Sequence, residues 1–107
     1  MMLFIETSIF TSRIIELLSD EEYRQLQLYL AARPDAGKII PGSGGLRKLR
    51  WGIDHSGKRG GIRLIYYWAI RQNTILLLFA FRKNERADLT AEQLRVLRRI
   101  VEEEYYE

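Results

Sequence analysis

The chain has 107 residues, 47% of them hydrophobic and 29% charged, with a net charge of +3 and no cysteine. That length supports one domain around one core and is too short for two. The apolar-to-charged balance is that of a folded domain, and the lack of cysteine excludes disulfides, thiolate metal sites and a cysteine nucleophile.

The N-terminal stretch MMLFIETSIFTSR lacks the basic start and long apolar run of a signal peptide. The longest apolar run, Ile75–Phe81, is too short to cross a bilayer. The expectation is a cytoplasmic protein with no membrane partner.

Leu3–Thr7 (LFIET) is short and β-favouring and reads as a first strand. From Ile9 to Leu18, residues Phe10, Ile14, Leu17 and Leu18 recur at helical spacing. A second helix is predicted from Ser19, where Glu22 three residues on completes a capping box and Leu18 with Tyr23 forms a staple. Tyr23, Leu26, Leu30 and Ala31 give its apolar stripe, and Pro34, Asp35 and Gly37 end it.

Lys38–Gly45 (KIIPGSGG) reads as a glycine-rich connection. It has neither Gly-Lys-Ser/Thr nor a following helix, so it is not a nucleotide-binding P-loop. Leu46–Ile53 and Ile62–Ile70 (IRLIYYWAI) are strand candidates, joined by DHSGKRGG, a polar basic hairpin turn with three glycines. Gln72 and Asn73 make a turn before Thr74–Phe81 (TILLLFAF), which is apolar on both faces like a central strand. The last helix opens at Thr90, with Gln93 as the capping-box partner and Leu89 with Leu94 as a staple. Leu94, Leu97, Ile100, Val101 and Tyr105 line its apolar side. The expected fold is a single α+β domain over residues 1–107, in the order β-α-α-β-β-β-α. A helical hairpin and a C-terminal helix pack on a mostly antiparallel sheet.

Charge is segregated along the chain. Lys38 to Arg86 carries eleven basic residues against two acids, Asp54 and Glu85, a net +9, and the flanks carry −6. Such a distribution suggests a polyanion-binding face, the bland alternative being a solvated surface. Gly42–Trp68 is its centre. Lys48 and Arg50 point the same way on one predicted strand, and a hairpin brings Arg63 across from them. Lys83 and Arg86 follow the next strand, so three adjacent strands offer cations near one sheet surface, as phosphate binding requires. Among Tyr66, Tyr67 and Trp68 some rings must be core, while one on the basic face could stack on an unpaired base. His55, the only histidine, sits in the polar turn, where a plain surface residue is the default and acid–base work the alternative. No carboxylate pair or zinc-ligand cluster stands in this segment.

The succession GGLRKLRW, GKRGGIRLIYYW and FRKNERADLT resembles the RelE/HigB superfamily of bacterial type II toxins, and above all its HigB-like branch with the run Gly-Lys-Arg-Gly-Gly-x-Arg-x-Ile-Tyr-Tyr. The likeness covers essentially the whole chain. It implies a ribosome-dependent endoribonuclease that cuts mRNA in the A site without a metal or other cofactor, restrained by a cognate helix-turn-helix antitoxin. The resemblance assigns catalytic positions to Lys48, Arg50, Arg63, Lys83 and Arg86. It leaves Arg47, Lys58, Arg59, Arg82 and Tyr67 as contacts to RNA or the ribosome.

Two positions depart from the RelE-type pattern. Asn84 stands where such toxins carry an arginine, and Thr90 where they carry a catalytic tyrosine. Thr90 reads as a helix cap, which leaves the acid–base residue open between Lys48, a lysine among arginines, and Lys58 in the turn. Two other functions fit the same sequence: a non-catalytic toxin like the ParE branch that inhibits DNA gyrase, and a basic module that docks on RNA or the ribosome.

Overall fold

The computed structural model describes residues 1–52, 61–85 and 88–104. The expectations for His55, Lys58, Arg59, Arg86 and Tyr105 lie outside these residues. The elements are β1 (Leu3–Glu6), α1 (Ser8–Leu17), α2 (Asp20–Ala32), β2 (Lys38–Ile39), β3 (Arg47–Trp51), β4 (Ile62–Ala69), β5 (Thr74–Arg82) and α3 (Ala91–Glu104).

Local chemistry sets the helix boundaries. The Thr7 hydroxyl accepts from Phe10 N–H at the start of α1 and donates to the Leu78 carbonyl, which pins the helix to β5. Ser19 and Glu22 close the expected capping box on α2. Thr90 and Gln93 close the second on α3, through Gln93 N–H to Thr90 Oγ1 and Thr90 N–H to Gln93 Oε1.

The five strands form one sheet in the order β1-β5-β4-β3-β2. β1 runs parallel to β5 and every other pair is antiparallel, so the sheet is mixed. One feature corrects the expected element order. Lys38 and Ile39 are not part of a connection but pair with Lys48 and Arg47 as a two-residue edge strand. The loop behind it closes on Ser43, which is buried; its hydroxyl donates to the Ile40 carbonyl and accepts from Leu46 N–H. That loop is a compact turn, and it carries the chain directly into β3.

Each face of the sheet bears its own core. The α1–α2 hairpin packs Phe10, Ile14, Leu17, Leu26 and Leu30 on Leu49, Leu64, Tyr66, Ile75 and Leu77. On the opposite face α3 brings Leu97 and Val101 against Leu46, Ile65, Leu76, Leu78 and Phe81. A shift in the β4–β5 register pairs Ile65 with Phe79 and Tyr66 with Leu77, leaving Leu78 as an extra residue. This bulge turns both Leu78 and Phe79 toward α3 and widens the apolar seat of that helix.

Behind the sheet, Tyr66 locks the exit of α2. Its ring is fully buried, its hydroxyl accepts from Gly37 N–H, and it donates to the Pro34 carbonyl. A Cβ on Gly37 would stand 2.8 Å from the Tyr66 ring, so only glycine permits this approach.

Candidate functional site

The β3–β4 register determines which cations meet. Arg50 stands opposite Arg63, and Lys48 opposite Ile65. Because successive side chains alternate across a strand, Lys48 and Arg50 share the face of Leu46, and Arg63 shares that of Ile65. Leu46 and Ile65 belong to the core beneath α3, so all three cations lie on the α3 side of the sheet. Gly61 opens β4 with φ +59, and a Cβ there would sit 2.3 Å from the Trp51 carbonyl oxygen. Glycine thus lets the two backbones close together just ahead of Arg63.

Above the cluster runs the arm that leads into α3. Asp88 on that arm places Oδ2 2.9 Å from Lys48 Nζ, forming an ion pair across forty residues of sequence. Its other oxygen, Oδ1, accepts from Leu89 N–H. The Lys48 hydrogen bond is the main reason the Asp88 carboxyl is held below the usual carboxylate range, with a smaller pull from Arg63. Arg63 itself is shifted down, first by loss of solvent and then by the facing Arg50, with Asp88 opposing. Among the described residues no carboxylate lies within ion-pair distance of Arg50 or Arg63.

Like charges set directly opposite one another weaken a strand pair by up to about 1 kcal/mol. An anion between them removes that penalty. Guanidinium forks match phosphate oxygens two at a time, and an ammonium adds a compact third charge. Arg50, Arg63 and Lys48 therefore form a cationic seat on one face of the sheet.

Other expected residues fall elsewhere. Arg47 lies one residue from Lys48 and hence on the opposite face, where its guanidinium donates to the Asp35 and Gly37 carbonyls and stacks 5.8 Å from the Trp68 ring centre. Arg82 pairs with Ile62 at the end of β5 and follows Phe81, so it faces the hairpin side. Lys83 is exposed in the turn after β5, two residues or about 7 Å beyond the partner of Arg63. Tyr67 shares the cationic face but lies four residues, about 13 Å, from Arg63. It is half-buried, with Arg98 5.7 Å above its ring. The structure brings together Lys48, Arg50 and Arg63, with Lys83 at the same end of the sheet. It does not add Arg47, Arg82 or Tyr67 to them.

Asp88 escaped sequence reasoning. The available signal was a lone acid two residues ahead of a helix cap, directly after the basic run. Its partner could be named only with the folded arm in hand.

Next to the arm, Ile9, Phe79, Leu89, Gln93, Val96 and Leu97 line an apolar groove of about 290 Å³. Among the described residues no three His, Cys, Asp or Glu side chains gather as metal ligands, and no helix is long and apolar enough to cross a membrane.

No family model matches the chain. Solved structures do. The fold is similar to that of the intact E. coli RelBE toxin–antitoxin complex, with TM-score 0.56 and 15% identity over 75% of this chain and 94% of that one. It is also similar to a variant of E. coli toxin RelE in the free state, with TM-score 0.58 and 14% identity over 78% and 85%. The isolated E. coli RelE toxin gives TM-score 0.56 and 14% identity over 94% and 99%. The chain has the RelE-like toxin fold, as the resemblance of its motifs implies.

Proposed function

We propose that the chain is the toxin of a type II toxin–antitoxin pair, a ribosome-dependent endoribonuclease that cleaves mRNA in the A site. The observation that carries this reading is the facing pair Arg50 and Arg63, joined on the same face by Lys48 and, among the described residues, without a carboxylate at ion-pair distance. In the reaction the RNA 2′-oxygen attacks the adjacent phosphorus and gives up its proton, while the bond to the 5′-oxygen breaks and that oxygen takes a proton. The products are a 2′,3′-cyclic phosphate and a free 5′-hydroxyl. Negative charge grows on the phosphoryl oxygens as the bond forms, and preorganised cations stabilise it more than they stabilise the ground state. Arg63 and Arg50 suit that charge. Lys83, Arg86, Lys58 and Arg59 supply further cations for the RNA or ribosomal backbone, where neutralised phosphates dominate affinity. Lys48 and Lys58 are the lysines available for proton transfer.

The proposed partner in the cell is a cognate helix-turn-helix antitoxin. The RelBE complex supports an antitoxin of some kind. The apolar groove between α1, β5 and α3 offers it lining from Ile9, Val96 and Leu97.

Primer extension on translated mRNA tests the activity. Wild type is expected to give discrete cuts, and Arg63→Ala to reduce their rate by about 10²–10³-fold, the loss typical of one transition-state charge contact. An unchanged cut pattern in Arg63→Ala removes the site assignment. Intact mRNA together with poisoned gyrase would instead establish the ParE-like function. Ribosome binding without either effect would establish a docking module.

A further inference from the structure

We propose that Asp88 is a positioning residue that acts through Lys48: its carboxylate anchors the ammonium beside Arg50 and Arg63, and so sets where the third charge of the seat stands. The inference rests on the RNA-cleaving reading of that site.

A lysine on a strand has four rotatable side-chain bonds, and its nitrogen sweeps a wide arc unless something holds it. Here the holder is specific. Asp88 Oδ2 meets Lys48 Nζ at 2.9 Å, while Asp88 Oδ1 is fastened to the Leu89 N–H of its own arm. The arm in turn is fixed by Leu89, which packs with the α3-side core, and by the Thr90–Gln93 capping box one residue further on. The carboxylate is thus a short, doubly bonded bracket between β3 and the start of α3, and Lys48 hangs from it.

Asp88 is poorly suited to take the 2′-proton itself. Both of its oxygens are engaged, and its carboxyl is held below the ordinary range, chiefly by Lys48. Nor is the pair explained by stability alone. The two side chains are 33% and 56% exposed, and ion pairs of that exposure contribute little to folding. Positioning is what the contact does best, because a misplacement of about 1 Å at a reacting centre costs roughly 100-fold in rate.

The test compares single-turnover mRNA cleavage on programmed ribosomes for wild type, Asp88→Asn, Asp88→Glu, Lys48→Ala and the Lys48→Ala/Asp88→Asn double variant. Asp88→Asn is expected to lower the cleavage rate by up to roughly 100-fold, with ribosome affinity changed less than about threefold. Its thermal midpoint should fall by less than about 5 °C, as for loss of an exposed pair. Asp88→Glu should recover part of the rate, because it keeps the charge. The deciding measurement is the double variant: once Lys48 is alanine, the further change Asp88→Asn should cost nothing, as for two residues acting as one unit. An Asp88→Asn rate equal to wild type overturns the inference. So does an Asp88→Asn penalty of the same size with and without Lys48. A wild type that leaves the mRNA intact overturns the RNA-cleaving reading and this inference together. Wild-type cleavage with an indifferent Asp88 overturns the inference alone.

Discussion

Arg47 and Lys48 are neighbours in sequence and both basic, yet the pleat of β3 sends them to different work. Arg47 turns to the hairpin side and straps the Asp35–Gly37 backbone, whereas Lys48 turns toward α3 and joins Arg50 and Arg63. Tyr66 and Tyr67 divide in the same way. Tyr67 lies under Arg98 at the α3 seam, and Tyr66 is wholly buried behind the sheet. Replacing Tyr66 by Phe keeps the ring but removes the acceptor of Gly37 N–H and the donor to the Pro34 carbonyl. A buried donor left unpaired costs about 1–3 kcal/mol. Tyr66→Phe should therefore lower the thermal midpoint by roughly 4–12 °C, followed by circular dichroism. A drop below about 2 °C would mean that the hydroxyl does not hold the α2 exit. Arg63 lies on the other face, so cleavage per folded molecule should stay close to wild type.

At the scale of elements, the parts that were legible in the sequence are those whose cause is local. Ser19 with Glu22 and Thr90 with Gln93 announce their helices within four residues, and both boxes form. Thr90→Ala removes the side-chain acceptor of Gln93 N–H and should cost about 0.5–2 kcal/mol, read as a lower urea midpoint with an unchanged slope. Because Asp88 lies only two residues ahead, the same change loosens the arm that holds Lys48. Cleavage by Thr90→Ala should fall modestly and far less than in Arg63→Ala; a loss as deep as that of Arg63→Ala would give Thr90 a chemical duty beyond capping. What the sequence hid depends on long-range pairing. β2 is two residues long with Ile39 exposed, so neither length nor alternation marks it. The bulge at Leu78 sits in TILLLFAF, where every residue after Thr74 is apolar and a one-residue shift leaves no trace in the pattern. The cationic seat was half legible: parity put Lys48 with Arg50, a hairpin put Arg63 opposite, and only the folded arm brought Asp88 to them.

Across the whole molecule, two tyrosines should make the fold sensitive to alkali. Tyr23 donates its hydroxyl to Glu6 on β1, and that carboxylate also accepts from Thr11 on α1, so one acid ties the first strand to both helices of the hairpin. Burial, then the Glu6 hydrogen bond and charge, push the Tyr23 phenol well above its ordinary value. Burial likewise raises Tyr66. In the unfolded chain both titrate near pH 10. Folded values above unfolded ones mean that the native state holds these protons more tightly. The stability they confer is thus fully present below about pH 10 and is lost as pH rises toward the folded values. The urea midpoint of wild type should accordingly decline between about pH 9 and pH 11. Lysine deprotonation overlaps that window, and Tyr23→Phe separates the two. The variant should be less stable than wild type at neutral pH, because Glu6 loses a donor, yet it should lose less on going to pH 11. Equal alkaline losses in the two proteins would assign the decline to Tyr66 and the lysines and show that the Glu6–Tyr23–Thr11 junction is indifferent to tyrosine ionisation.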